Sequence, residues 1–286
     1  MDELYTKVSS TTKRLLYQYM KDADISLLSY KFSYFFQNCI QENQIQVISH
    51  HFSNHKIEGL TVVDELGTSF SYERDNLKVK QNFTLCHELG HFILKHNGNY
   101  FAESIDNQEN LLEREANIFS AVVLMPDIVL LSKIYYSCET FHQVQNSLEV
   151  SKQALFFRLL DFLREYSSGK DSEIKQAVET YIVGKNASIF RLFHDIREQI
   201  IEEFHQFQPF LINQVKQRVR KVGFVTSQEY PGLLNQDNWT VIKEKSVNFK
   251  IWLIYNKGKS IAYVWDKGKF SDEEAKKKAE LQLLLM

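Results

Sequence analysis

The chain has 286 residues, 44% apolar and 13% aromatic, with 34 Lys and Arg against 36 Asp and Glu. This composition is typical of a globular protein with one large domain or a few smaller ones, and it excludes disordered and fibrous proteins. No uninterrupted apolar run approaches the roughly 18–20 residues that span a bilayer, and Met-Asp-Glu-Leu at the start is unlike a secretory signal. Three scattered cysteines without a CxxC pair indicate a reducing compartment, so we expect a cytoplasmic protein without a membrane segment.

Charge is distributed unevenly between the two halves of the chain. Residues 1–130 carry 11 basic and 17 acidic side chains, whereas residues 131–286 carry 23 and 19. The acidic first half argues against nucleic-acid binding there, and the mildly basic second half permits it without requiring it. Solvated surface charge is the favoured interpretation.

The first half alternates between helical and β-type patterns. Apolar residues at helical spacing predict helices over 4–42, and short β-type segments follow within 45–73, broken by Gly59 and Gly67. Helical spacing returns over 79–96 and from Glu109 to Met125, where Pro126 ends it. The polar residues 97–110 between these two helices predict a loop.

The second half begins with short helices and ends in β-type segments. Helices are predicted from Phe141 and from Ser151, a linker at Ser167–Asp171, and a long helical region over 173–221 with breaks near Gly184 and Pro209. Residues 240–242, 249–255 and 260–265 have strand character, with a hairpin turn at 256–259. Ser271 and Glu274 form a capping box for a last helix.

The string His87-Glu88-Leu89-Gly90-His91 is an HExxH motif within an apolar helical pattern. Histidines four residues apart lie on one helix face, so both imidazoles can bind one metal ion, and Glu88 can take a proton from a water molecule at that metal. Zinc accepts imidazole and carboxylate ligands and can keep one position open. The alternative is a surface helix with two histidines and an ion-pairing Glu, but the apolar surroundings predict a buried helix.

A third ligand must come from elsewhere, and the next helix supplies two carboxylates. Glu113 and Glu115 are both within reach of a helix hairpin; Glu115 is preferred because the small Ala116 beside it would let the two helices approach closely. His96 is five residues beyond His91, which points it away from the ligand face of a continuous helix. We expect it to interact with the helix dipole instead.

These motifs resemble the ImmA/IrrE family of zinc metallopeptidases. The resemblance lies in Phe83–His91, in Glu113–Ser120 (Glu-Arg-Glu-Ala-Asn-Ile-Phe-Ser) and in Leu124-Met125-Pro126. It implies His87, His91 and Glu115 as zinc ligands, with Glu88 as the catalytic acid/base. Cys86 stands where the family commonly has Ala, and a buried helical thiol of this kind is expected to be inert.

The resemblance, together with the predicted elements on either side of it, leads to a fold class and a division of the chain. We expect an α+β protein with a zincin-like metallopeptidase domain, in which helices pack on a small, mainly antiparallel sheet, followed by a helical segment and a C-terminal α/β region. The predicted segments are N-terminal helices at 1–44, the peptidase core at 45–130, a helix-turn-helix-like segment at 131–170, and a C-terminal region of unknown role at 171–286. Residues 150–159 match the family's helix-turn-helix pattern weakly, and packing against the peptidase core is preferred there over DNA binding.

The predicted function is that of a zinc-dependent endopeptidase. Family resemblance implies a protein substrate, a helix-turn-helix repressor of the Xre type, whose cleavage derepresses stress or mobile-element genes. We expect a hairpin and edge strand over Leu60–Tyr72 to dock the substrate, and the loop Asn97–Asn110 with residues 171–286 to gate access. The alternatives are a non-catalytic zinc-containing regulator, or a DNA-binding transcription factor acting through residues 131–286, with 214–221 as its basic face.

Overall fold

The computed structural model describes residues 2–51, 57–65, 67–96, 100–104, 111–167, 169–244 and 248–286. The chain divides into two compact units, the first formed by Met1–Met20 and Asp24–Phe207, the second by Lys21–Ala23 and Gln208–Met286. In the described residues, each unit combines helices with one small sheet, so the predicted α+β class is observed. The predicted linker at Ser167–Asp171 lies inside the first unit, and the four predicted segments stay a prediction.

Two helices begin the first unit, as the apolar spacing predicts. Helix α1 spans Glu3–Asp22 and α2 spans Phe32–Glu42. Their apolar faces are buried in the main core, because residues three or four apart share one side of a helix.

Within the described residues, the sheet of the first unit contains four strands: β1 Gln46–His50, β2 Ile57–Asp64, β3 Gly67–Glu73 and β4 Tyr100–Ser104. Their order is β1-β3-β2-β4; only the β1–β3 pair is parallel. The predicted hairpin over Leu60–Tyr72 is confirmed, but its position at an edge is wrong, since β2 and β3 are the two inner strands. Strand β4 occupies part of the predicted loop 97–110; residues 97–99 and 105–110 of that loop lie outside the described residues.

Helices α3 (Lys78–Ile93) and α4 (Leu111–Leu124) pack closely against each other. A Cβ atom on Gly90 would lie 3.1 Å from Phe119 Cδ1 and 3.2 Å from Ala116 Cα, so a larger residue would push the helices apart. The close approach expected from Ala116 is therefore confirmed. Pro126 ends α4 and precedes the short helix α5, Asp127–Leu130, which continues into a π-helical turn, Leu131–Tyr136.

The helical stretch Leu111–Tyr136 is long and apolar enough to cross a membrane by length and composition alone. However, 83% of its most apolar window is buried inside the protein. Side chains from this stretch fill the main hydrophobic core, so its apolar character is that of a core helix.

Four further helices follow in the described part of the first unit: α6 Phe141–Ser147, α7 Lys152–Tyr166, α8 Asp171–Ile182 and α9 Ala187–Gln206. Ser151 caps α7 by accepting a hydrogen bond from the backbone N–H of Ala154. Gly184, with a φ of 83°, lies in the predicted break between α8 and α9. The helix predictions for this region are confirmed.

Over the residues that the structure describes, the second unit has a three-stranded antiparallel sheet formed by β5 Phe224–Thr226, β6 Phe249–Asn256 and β7 Lys259–Asp266, in the order β5-β7-β6. Its helices are α10 Leu211–Val222, α11 Asp237–Glu244 and α12 Asp272–Leu285. The β6–β7 hairpin and the Ser271–Glu274 capping box are confirmed. The predicted strand at 240–242 is wrong: these residues belong to α11, where the buried Ile242 lies one helical turn after Trp239.

Candidate metal centre

Helix α3 carries the HExxH motif on a buried face. His87, Glu88 and His91 are exposed by 1%, 0% and 2% respectively. The His87 and His91 rings meet because their positions differ by one helical turn, and their Nε2 atoms lie 2.9 Å apart. The predicted burial of this helix is thus confirmed.

Glu113, near the start of α4, completes a cluster with the two histidines. Its Oε2 atom lies 3.0 Å from His87 Nε2 and its Oε1 atom lies 3.5 Å from His91 Nε2. Among the described residues these three side chains form a group whose ligand atoms all lie within 4.8 Å of one another. The cluster contains two imidazoles and a carboxylate.

Glu115, the carboxylate preferred from the sequence, contacts a different side chain. Its Oε2 atom lies 2.8 Å from His96 Nε2. Residues two apart on a helix point about 200° away from each other, so Glu113 and Glu115 cannot face the same pair of rings. The structure thus corrects the expectation that Glu115 joins His87 and His91.

Asn117 holds the other ring nitrogen of His87. Its Oδ1 atom lies 3.0 Å from His87 Nδ1, where it accepts a hydrogen bond from the ring N–H. Because Asn117 is four residues after Glu113, both side chains lie on the face of α4 that meets His87. This contact leaves the lone pair of His87 Nε2 directed at Glu113 and His91.

His96 returns to the ligand face, against the expectation from its position in the sequence. Helix α3 ends because Lys95 adopts the left-handed conformation, with φ 57°. The N–H of His96 then donates to His91 O at 3.1 Å, as in a Schellman motif, and the His96 and His91 Nδ1 atoms lie 2.8 Å apart. The chain reversal, which apolar spacing does not reveal, brings the two rings together.

The electrostatics of the cluster favour the ionised form of Glu113. Burial raises the pKa of Glu113, but the adjacent imidazoles of His87 and His91 outweigh that effect and lower it to about 2. Burial lowers the pKa of His96, despite the opposing effect of Glu115. Burial raises the pKa of the Cys86 thiol, which agrees with the inert role expected for it.

Glu88 lies against the inner strand β2. The Thr61 hydroxyl donates a hydrogen bond of 2.5 Å to Glu88 Oε2. A Cβ atom on Gly59 would lie 2.5 Å from Glu88 Oε1 and 2.4 Å from Thr84 Cγ2, so glycine leaves the space that the carboxylate occupies. In the sequence, Gly59 is recognisable only as a strand breaker, and nothing in the pattern around Thr61 points to Glu88.

A cavity of about 560 Å³ is lined by two side chains that contact His87, although His87, His91 and Glu113 do not themselves line it. Phe83, one turn before His87, and Asn117 both line it, with Ile118, Ala121 and Met125 contributing further apolar surface. Its volume is within the usual range for ligand sites, about 300–1,000 Å³.

The donor set fits zinc. Tetrahedral zinc with bonds of about 2.0–2.1 Å separates neighbouring ligand atoms by roughly 3.3 Å. The corresponding separations among the ligand atoms of His87, His91 and Glu113 are 2.9, 3.0 and 3.5 Å. The two imidazoles and the carboxylate each offer a ligand atom within 4.8 Å of the others, so one divalent cation can reach all three.

Comparison with known proteins gives a family match for the part of the chain that contains this cluster. Residues 41–160 match the model of the family Peptidase_M78, described as the IrrE N-terminal-like domain. No curated protein matches the chain. The matched segment includes the HExxH helix, both carboxylates of α4 and the strands next to Glu88, and it supports the resemblance drawn from the motifs.

Proposed function

Since residues 41–160 belong to the IrrE N-terminal-like peptidase family, we propose that the protein is a zinc-dependent endopeptidase. The observation that carries this proposal is the convergence of His87, His91 and Glu113 beside a buried Glu88. A zincin-like arrangement, with the HExxH helix packed on a small mainly antiparallel sheet, is part of the same proposal.

In this proposal, His87 and His91 bind the metal through Nε2, and Glu113 binds it through its carboxylate. Zinc, when bound, supplies a Lewis acid that polarises the scissile carbonyl and makes water more acidic. A three-residue ligand set leaves room for reactants, as in catalytic sites, whereas purely structural sites usually have four protein ligands. This difference favours the enzyme over the non-catalytic regulator.

Glu88 then acts as the general base. Its carboxylate follows the first ligand on the same helix, so it lies beside the point where the donor atoms converge. Thr61 fixes one carboxylate oxygen, and Gly59 provides the space for the other. From this position Glu88 takes a proton from the attacking water and returns one to the leaving amine.

The substrate of this proposal is an extended peptide segment. Strand β4 is an outer strand among the described residues, and an extended chain can add to such an edge by backbone hydrogen bonds. The cavity lined by Phe83 and Asn117 would accept an apolar side chain of the substrate.

The biological substrate that we propose is a helix-turn-helix repressor of the Xre type in the cytoplasm. The family resemblance suggests it, and the acidic first half, 17 acidic against 11 basic residues over 1–130, would attract a basic DNA-binding protein. Gating by residues 97–110 and 171–286 is part of this proposal. DNA binding by the chain itself is not favoured.

The test compares wild type with Glu88→Gln for bound zinc and for proteolysis. The amide is nearly isosteric but cannot accept the proton, so zinc should remain at one per chain while turnover falls by about 10²–10⁴-fold. Proteolysis is read by mass spectrometry on a mixture of peptides and on the repressor encoded beside the gene. Glu179→Gln, an exposed substitution on α8, is the matched control.

Three outcomes separate the possibilities. Cleavage of peptides but not of the repressor would keep the peptidase and reject the proposed substrate. Equal turnover by wild type and Glu88→Gln would reject Glu88 as the base. Zinc bound without any cleavage would favour the non-catalytic regulator.

A further inference from the structure

Three side chains from the end of α3 and the start of α4 form a continuous chain of contacts. His91 Nδ1 lies 2.8 Å from His96 Nδ1, and His96 Nε2 lies 2.8 Å from Glu115 Oε2. His91 is 2% exposed, and the side chains of His96 and Glu115 are exposed by only 3% and 17%. The contacts therefore operate in a largely buried environment, where hydrogen bonds to charged groups are strong.

Hydrogen-bonding rules fix which atoms carry protons in this chain. An ionised carboxylate only accepts, so His96 Nε2 must donate to Glu115. A neutral imidazole has one donor and one acceptor, so His96 Nδ1 accepts and His91 Nδ1 donates. The lone pair of His91 Nε2 is then directed towards His87 and Glu113.

We propose that His96 and Glu115 are positioning residues, which form an outer relay holding His91 in the tautomer and orientation that bind the metal. The inference rests on the proposed metal site and adds two residues to it. It also gives Glu115 a role outside the ligand set, and His96 a role different from that of a helix-dipole partner.

The backbone makes this relay rigid. The left-handed conformation of Lys95 and the bond from His96 N–H to His91 O fix His96 over the last turn of α3. The two ligand histidines are consequently supported in different ways. A neutral amide, Asn117, holds His87, whereas an imidazole that leads to a carboxylate holds His91. A carboxylate behind a ligand histidine increases its basicity and strengthens metal binding.

The test measures zinc affinity by competition with a chelator, using the full chain. His96→Phe and Glu115→Leu should weaken zinc binding by about 10- to 100-fold, the usual effect of losing an outer partner. Glu115→Gln, whose amide oxygen still accepts from His96 Nε2, should retain most of the affinity. His142→Phe, an exposed histidine on α6, is the control and should bind like wild type.

Two spectroscopic readouts separate positioning from ligation and from a general structural effect. Cobalt-loaded Glu115→Leu should keep one metal per chain and a wild-type visible spectrum, because no ligand has changed. Nitrogen-15 NMR of the zinc-loaded wild type should show His96 protonated at Nε2 and His91 protonated at Nδ1.

Wild-type zinc affinity in both His96→Phe and Glu115→Leu would overturn the relay, as would protonation of His96 at Nδ1 alone. A changed cobalt spectrum in Glu115→Leu would make Glu115 a ligand. His87→Ala distinguishes these failures from a failure of the metal site itself, because retention of stoichiometric zinc by that variant would reject the proposed function instead.

Discussion

Asp127, directly after the Leu-Met-Pro motif, lies at the centre of a buried charge cluster that we expect to be essential for the stability of the first unit. The side chain is fully buried, forms an ion pair with Arg158, accepts a 2.8 Å hydrogen bond from the Tyr166 hydroxyl, and lies 3.2 Å from Lys13 Nζ. Both cationic side chains are at most 1% exposed. Asp127→Asn therefore leaves two cations in the interior without the buried carboxylate between them.

The expected decrease in the free energy of unfolding of Asp127→Asn follows from the contacts that remain. Breaking a buried ion pair by removing one partner costs about 3–5 kcal/mol. Lys13 keeps Glu165 at 2.9 Å, and Arg158 keeps its bonds to Tyr5 and the Met125 carbonyl, so the low end applies, about 3 kcal/mol. For a unit of 150–250 residues this lowers the midpoint of thermal unfolding by about 6–12 °C.

The stability lost in Asp127→Asn should become smaller as the pH falls. Burial raises the pKa of Asp127, but Arg158 and Lys13 outweigh that effect and lower it below its ordinary value. A carboxylate with a lowered pKa stabilises the folded state above its unfolded pKa, about 3.9, and this contribution disappears as the pH falls through the folded pKa. The difference between wild type and Asp127→Asn should thus be largest at pH 5–7 and shrink below about pH 4.

The assay is thermal and urea unfolding followed by circular dichroism at several pH values. Glu179→Gln is the matched control, since its exposed pair with Lys175, at 4.0 Å, should contribute at most about 0.5 kcal/mol. Asp127→Asn with a wild-type midpoint at pH 7, or a deficit that persists unchanged at pH 3, would refute this reasoning.

Two further predictions concern the site. Gly59→Ala places a methyl group 2.5 Å from Glu88 Oε1, so kcat should fall by about 10- to 100-fold while zinc content stays at the wild-type level; unchanged kcat would mean that Glu88 has more room than the contact indicates. Asn117→Ala removes the acceptor for His87 Nδ1 and should weaken zinc binding by about 10- to 100-fold in chelator competition. Asn117→Asp restores an acceptor and should recover most of that affinity; no recovery would argue against the hydrogen bond as the cause.

The parts of the site that follow helix periodicity could be predicted from the sequence. His87 and His91 are one turn apart within a single helix, so their convergence follows from local geometry alone. The same rule, applied to α4, would also have identified Glu113 and Asn117 as a pair four residues apart on one face. The choice of Glu115 relied on its small neighbour Ala116, which promotes close packing but does not determine which carboxylate faces the histidines.

Features that depend on a chain reversal or on distant packing could not be predicted in this way. Helix periodicity continued past the end of α3 directs His96 away from His91, whereas a single left-handed residue, Lys95, returns it to His91. Strand β4 lies between the polar residues 97–99 and 106–108, which predict a loop, and its pairing with β2 is a long-range contact that local sequence does not reveal. Residues 240–242 favour a strand by composition, but the burial of Ile242 in the second unit is achieved by a helix.

The most direct test of the central claim is the zinc content of purified Glu113→Ala beside Glu115→Ala. We predict that Glu113→Ala loses stoichiometric zinc at neutral pH, since Glu113 supplies the oxygens nearest to both Nε2 atoms. Glu115→Ala should still bind one zinc per chain when the metal is supplied in excess, with reduced affinity. Stoichiometric zinc in Glu113→Ala together with its loss in Glu115→Ala would contradict the account.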